Sequence, residues 1–156
     1  MVEMKKLTKV TAYITRKMEG KFQLLTMLEE GVESYGLQVP GGTVEEGETL
    51  EDCLLREIEE EAQLQQLEIK SYLGECSYFL EAKQAYITRH YFHLTIEECL
   101  DRFTVVVRSQ DEDNGWIYHY RWTDLQTDHP PTLGGHLGGC LPKLLVTLEE
   151  NGKINM

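Results

Sequence analysis

The feature that most constrains this chain is a run of carboxylates between residues 45 and 61. Nine of those residues are Asp or Glu and only Arg56 is basic, so the run carries −8 of the chain's formal −12. It follows a glycine pair, Gly41-Gly42, and leads into Leu50, Leu54, Ile58 and Ala62, which recur at i,i+4 spacing. That recurrence predicts an amphipathic helix with one buried stripe. Thr49 suits its N-cap, with Asp52 in the reciprocal position of a capping box. Like charges at i,i+4 cost a few tenths of a kcal/mol per pair, so a helix this acidic calls for a compensating cation. At about 100° per residue, Glu57, Glu60 and Glu61 span roughly 100° of the circumference beside the apolar stripe. Three carboxylates that offer only oxygen suit a hard ion, Mg²⁺ or Mn²⁺, better than zinc. The bland alternative is a solvated charged face, the usual meaning of a charge run.

The same residues resemble a known pattern. The Nudix box reads Gly-x5-Glu-x7-Arg-Glu-U-x-Glu-Glu-x-Gly-U, where U is a bulky aliphatic residue. Here Gly42, Glu48, Arg56, Glu57, Ile58, Glu60, Glu61 and Leu64 fall in register, with Gln63 where the family has glycine. The resemblance implies an α/β fold, a Nudix-like α/β/α sandwich. Its mixed β-sheet carries the box as loop–helix–loop, together with a C-terminal helix. It also implies Glu57 and Glu61 as principal metal ligands, Glu60 as a further ligand or base, and the Gly41 carbonyl as an additional oxygen. Arg56 then orients a carboxylate, and Gly42 and Glu48 are structural parts of the box. Some members place an extra glutamate on a loop facing the box. In the loop Ser109–Gly115 that candidate is Glu112, as general base or ligand, against a plain turn made of turn-forming residues.

The reaction the resemblance implies is metal-dependent hydrolysis of a nucleoside diphosphate linked to another group X. Water attacks phosphorus in line, with its proton taken by Glu60 or Glu112. Arg56, Glu60, Glu61 and Glu112 form the candidate catalytic set. Gln63 predicts that the helix ends differently, running on through Gln65 or Gln66. It also motivates an alternative reading, a Nudix-fold sensor that binds a nucleotide without turning it over. A third reading is an ion-binding interaction protein whose acidic face docks a basic partner.

The rest of the chain reads as strands around that helix. Leu7–Lys17 and Phe22–Leu28 form a hairpin about the turn Met18–Lys21, and Leu37–Pro40 is a short strand entering the glycine turn. Leu67–Leu80, Ala85–Ile96, Phe103–Val107 and Trp116–Trp122 follow. Residues 124–139 read as loop. A C-terminal helix then runs from Gly138 or Gly139 to Glu149 with Leu141, Leu144, Leu145 and Leu148 on one side, Pro142 in its first turn, and a frayed tail from Asn151. At 156 residues the chain is expected to form a single domain over residues 1–156.

A net charge of −12 argues against nucleic-acid polymers and anionic membranes as partners. With cations bridging carboxylate to phosphate, it is compatible with a nucleotide-type small-molecule substrate. No apolar run reaches a membrane span, and MVEMKKLTKV lacks the apolar core of a signal peptide. The four cysteines show no CxxC spacing, so a cytoplasmic location is expected. A homodimer accords with the family, but no residue here fixes the oligomeric state.

His90 and His93 stand three apart on a strand and point to opposite faces, so joint zinc ligation is disfavoured. His119, His129 and His136 have no ligand spacing. Tyr35, Phe79, Tyr91 and Trp116 are candidates for stacking on a base, against the commoner core role. No proline lies between Pro40 and Pro130, where members that cleave ADP-ribose carry one. Tyr78 misses the tyrosine position of enzymes acting on dinucleoside polyphosphates. A nucleoside triphosphate is the slight favourite, with substrate-contacting residues left unassigned.

Overall fold

The strand periodicities fold into one seven-stranded mixed sheet with a helix on each face. The structure is a computed structural model that describes residues 4–126 and 129–154. Its strands are β1 (Lys5–Met18), β2 (Lys21–Glu29), β3 (Gly41–Thr43), β4 (Glu68–Leu80), β5 (Ala85–Thr95), β6 (Arg102–Val106) and β7 (Ile117–Asp124). Its helices are α1 (Leu50–Ala62) and α2 (Leu141–Ile154), with short 3₁₀ turns at Glu33–Tyr35 and Glu81–Lys83. The sheet runs β4-β5-β1-β2-β7-β6, and β3 is hydrogen-bonded to β1 off this path. Only β1 and β5 run parallel; the other pairs are antiparallel.

One irregularity positions the site. β1 pairs with β2 only from Thr15 to Met18, next to the hairpin turn. Farther from that turn the segment after Gly36 enters between them. Met27 bridges to Gln38, while Lys9–Thr11 pair with Gly41–Thr43. The glycine segment is thus a wedge in the middle of the sheet, directly against α1.

Strand alternation sends β1 side chains to both faces. Val10, Ala12 and Ile14 join Leu25, Phe92 and Leu94 under α1, which contributes Cys53, Leu54, Ile58 and Ala62. Tyr13 joins Leu24, Leu73 and Tyr91 under α2, which contributes Leu141, Leu144 and Leu148. A strand in a parallel pair that is covered on both faces must be apolar on both. The run Val10–Ile14, wholly buried, meets that demand. Among the described residues no helix is long and apolar enough to cross a membrane.

Three expectations shift. Leu37–Pro40 makes single bridges rather than a strand; Pro40 has no N–H to give a ladder, and regular pairing starts at Gly41. Helix α2 continues through Gly152 to Ile154 instead of ending at Glu149. Residues 127–128 of the expected loop, 155–156 of the expected tail and residues 1–3 lie outside the described residues.

Helix α1 does not run on past its box. Thr49 caps it, its side-chain oxygen accepting from the Asp52 N–H at 3.1 Å. At the other end Gln63 itself takes the left-handed conformation (φ 55°, ψ 37°) and donates its N–H to the Glu59 carbonyl. Glutamine therefore terminates the helix as glycine would, at a conformational cost of about 1 kcal/mol. Gln63→Gly should raise stability by about 0.5–1 kcal/mol, read as an upward shift of the urea midpoint at constant slope.

Candidate active site

The site is built where α1 meets β3. In the antiparallel β1–β3 pair, Val10 and Gly42 are opposite each other, and the Ala12 N–H to Pro40 carbonyl and Val44 N–H to Thr8 carbonyl bonds lie in the same register. That parity leaves Gly41 and Thr43 with backbone groups turned away from β1. Gly41 donates its N–H to the Glu61 carboxylate at 2.8 Å, and the Thr43 carbonyl accepts from Arg56 at 3.2 Å. The Gly41 carbonyl is turned away from β1 by the same alternation, as a ligand role requires.

Both glycines are demanded by space. A Cβ at Gly41 would fall on the Val10 carbonyl, and one at Gly42 on the Glu57 carboxylate. The glycines let the backbone touch two carboxylates that are almost wholly buried, Glu57 at 3% exposure and Glu61 at 6%.

Arg56 is spent on the protein itself. Its Nε and Nη2 form a two-pronged pair with Glu48 at 2.7 and 2.9 Å. Its Nη1 reaches Glu57 at 3.0 Å and Glu60 at 3.3 Å. The guanidinium orients carboxylates rather than a substrate. Beside it the Glu48 carboxyl is held down at about 2.

The loop between β6 and β7 closes the site from the other side. Val107 and Trp116 pair across its base, and the Arg108 N–H approaches the Glu60 carbonyl in the last turn of α1. Ser109 accepts from the Asp111 N–H and donates to the Asp113 carboxylate. Two sets of carboxylate oxygens converge within 4.8 Å of one another: Glu57, Glu60 and Asp111, and Glu57, Glu61 and Asp113. Glu112, the candidate from this loop, lines the same cavity but belongs to neither set. From β7, Tyr118 turns its hydroxyl toward the Glu61 carboxylate and Tyr120 donates to the Glu61 backbone carbonyl at 2.9 Å. The sequence marked the loop as acidic, but composition does not say which of its three acids turns inward. Tyr118 and Tyr120 gave no signal beyond strand periodicity.

Burial dominates the electrostatics. It pushes the Glu57 carboxyl up to about 8, the nearby Arg56 charge opposing. Burial also raises Glu61 well above the carboxylate range, against the Gly41 N–H, and raises Glu60 more modestly. Such carboxyls take protons unless a cation replaces them. The donor set, all oxygen and shaped by two glycines, fits Mg²⁺ or Mn²⁺.

The cavity in front of these groups has a volume of about 570 Å³. Glu57, Glu61, Asp111, Glu112 and Asp113 line it together with Lys5, Lys9, Lys83 and Trp116. Of the four candidate stacking residues only Trp116 lines it; Tyr91 is core, and Tyr35 and Phe79 are exposed elsewhere. His93 is buried against Thr15, whereas His90 meets Tyr72, so the two do not converge. All four cysteines are free.

A family model described as the NUDIX domain matches residues 6–136. The chain belongs to the Nudix family, and with it to the hydrolases of phosphoanhydride bonds. No curated protein matches it by sequence. Among solved structures it is similar to an Ap4A hydrolase from C. elegans, at 23% identity and a TM-score of 0.60, covering 91% of this chain and 98% of that one. It is also similar to a MutT NUDIX hydrolase from Burkholderia pseudomallei (20% identity, TM-score 0.59, 90% and 98% covered). A third is the NUDIX domain of Shewanella oneidensis NrtR complexed with ADP ribose (15%, 0.61, 94% and 88%). These likenesses speak for the fold.

Two outcomes test the site. Because Glu57 titrates near 8, it contributes stability to the metal-free protein that is fully present below about 4.5 and lost as pH rises through 8. Cations must displace protons from both Glu57 and Glu61, so Mn²⁺ affinity should rise at least about tenfold per pH unit up to 8, followed by calorimetric titration. Gly42→Ala, whose methyl falls on the Glu57 carboxylate, should weaken Mn²⁺ binding about tenfold or more while circular dichroism stays native.

Proposed function

We propose that this protein is a metal-dependent pyrophosphohydrolase that cleaves a nucleoside diphosphate linked to another group X, with a nucleoside triphosphate favoured. The observation carrying this is the pair of buried carboxylates, Glu57 and Glu61, packed on Gly41-Gly42 and facing an open cavity. Glu57, Glu61, Glu60, Asp111 and Asp113, with the Gly41 carbonyl, would hold Mg²⁺ or Mn²⁺. When bound, such a cation neutralises phosphate oxygens and acidifies a coordinated water.

The chain's own residues do the rest. Arg56 fixes Glu57 and Glu60 at one end of the cluster and is itself fixed by Glu48, so the carboxylates need no reorganisation when substrate arrives. Glu60, half-buried beside Arg56 and with a raised pKa, is one candidate proton acceptor for the attacking water, and it lines the neighbouring clefts rather than this cavity. Glu112 lines the cavity as the second candidate. Trp116, 42% exposed at the cavity wall, offers a face on which a base can stack. A cytoplasmic, reducing setting suits the four free cysteines.

The test is turnover of nucleoside triphosphates, nucleotide sugars, ADP-ribose and dinucleoside polyphosphates with Mg²⁺ or Mn²⁺. Glu57→Gln and Glu61→Gln should each lower kcat about a hundredfold or more, and EDTA should abolish release of phosphate or pyrophosphate. Near-normal turnover in either variant would remove that residue from the machinery.

A further inference from the structure

Glu57 and Glu61 face the same cavity but are held by different means. Glu57 shares its charge with Arg56, whose Nη1 lies 3.0 Å away. No Lys or Arg among the described residues pairs with Glu61. Its Oε1 accepts the Gly41 N–H at 2.8 Å, and its Oε2 faces the Tyr118 hydroxyl at 3.5 Å. Both donors are neutral, so they orient the carboxylate without neutralising it.

Tyr118 is braced where it stands. It is buried and lines the cavity. Alternation along β7 puts Tyr120 on the same face, with its ring edge-on to that of Tyr118 at 6.4 Å. Tyr120 is stacked in turn on Phe103 of β6 at 4.8 Å, and its hydroxyl donates to the Glu61 backbone carbonyl at 2.9 Å. Two tyrosines of one strand thus hold one glutamate, Tyr120 by its backbone and Tyr118 by its side chain. A carboxylate anchored through Oε1 alone can turn about that anchor. The hydroxyl opposite Oε2 lies farther off than the usual ~2.7–2.8 Å of such a bond, so it acts as a stop against that turn more than as a strong bond.

We propose that Tyr118 is a positioning residue whose hydroxyl keeps the Glu61 carboxylate turned toward Glu57 and Asp113. The oxygens of those three groups lie within 4.8 Å of one another, and a cation then meets them already converged. Tyr118 gives the cation no oxygen of its own and acts through Glu61 alone. The inference rests on the metal-dependent hydrolase reading and adds to it a residue outside both the box helix and the acidic loop.

The experiment measures Mn²⁺ affinity by calorimetry for wild type, Tyr118→Phe and Tyr120→Phe. Urea unfolding of each metal-free protein, and kcat and KM on a nucleoside triphosphate at limiting and saturating Mn²⁺, are measured alongside. The two variants lose the same atom from the same strand face, so a merely structural role for these tyrosines would show equally in both. Tyr118→Phe should bind Mn²⁺ about tenfold more weakly, and its kcat should return to the wild-type value at saturating Mn²⁺ with KM unchanged. Tyr120→Phe should lower the urea midpoint and leave Mn²⁺ affinity as it was. Unchanged affinity in Tyr118→Phe, or an equal loss in both variants, would overturn the positioning role. So would a kcat that stays low at saturating Mn²⁺, which would make the hydroxyl part of the chemistry itself. Tyr118-dependent Mn²⁺ binding without turnover of any substrate would overturn the hydrolase reading and keep the role. A wild type that binds no Mn²⁺ would overturn both.

Discussion

The close approach of Gly41-Gly42 to the carboxylates of Glu57 and Glu61 is the contact on which the molecule turns. Burying two carboxylates costs several kcal/mol each unless hydrogen bonds or opposite charge compensate. The Gly41 N–H and the Arg56 guanidinium supply part of that compensation. The remainder is a demand for protons or cations, written into the raised pKa values of Glu57 and Glu61. A side chain at either glycine would part the wedge from α1 or from β1, and the demand would vanish into solvent.

The rest of the fold serves that contact. The sheet opens between β1 and β2 to admit the glycine segment. The stripe Leu54, Ile58 and Ala62 anchors α1 to the sheet below it. Tyr120 ties the last turn of the helix to β7, which carries the loop that brings Asp111 and Asp113 inward. The left-handed Gln63 stops the helix directly after these ligands. A strained residue there shows that the stopping point matters more to the fold than the roughly 1 kcal/mol it costs.

Arg56 is committed to the protein itself, because its donors are satisfied by Glu48, Glu57, Glu60 and Thr43.

Much of this was legible in the residues alone. The helix, its N-cap, its apolar stripe and its acidic face depend on neighbours three or four apart, so spacing sufficed to place them. The α/β/α layering followed from strands on both sides of one helix and from the family resemblance, whereas spacing made β1 only half-buried and the structure buries it on both faces. Contacts between residues far apart in the chain were not legible. Asp111 and Asp113 enter the cluster and Glu112 does not, although composition makes the three equivalent; the loop meets the helix through the Arg108 N–H on the Glu60 carbonyl. Lys83 joins Lys5 and Lys9 at the cavity only because β1 and β5 pair in parallel, a register that no local pattern states. The sequence by itself pointed to the glutamates of one helix as candidates for a hard cation. Only the tertiary structure decided what faces them, because strand order and register are set by burial of the whole sheet rather than by any one segment.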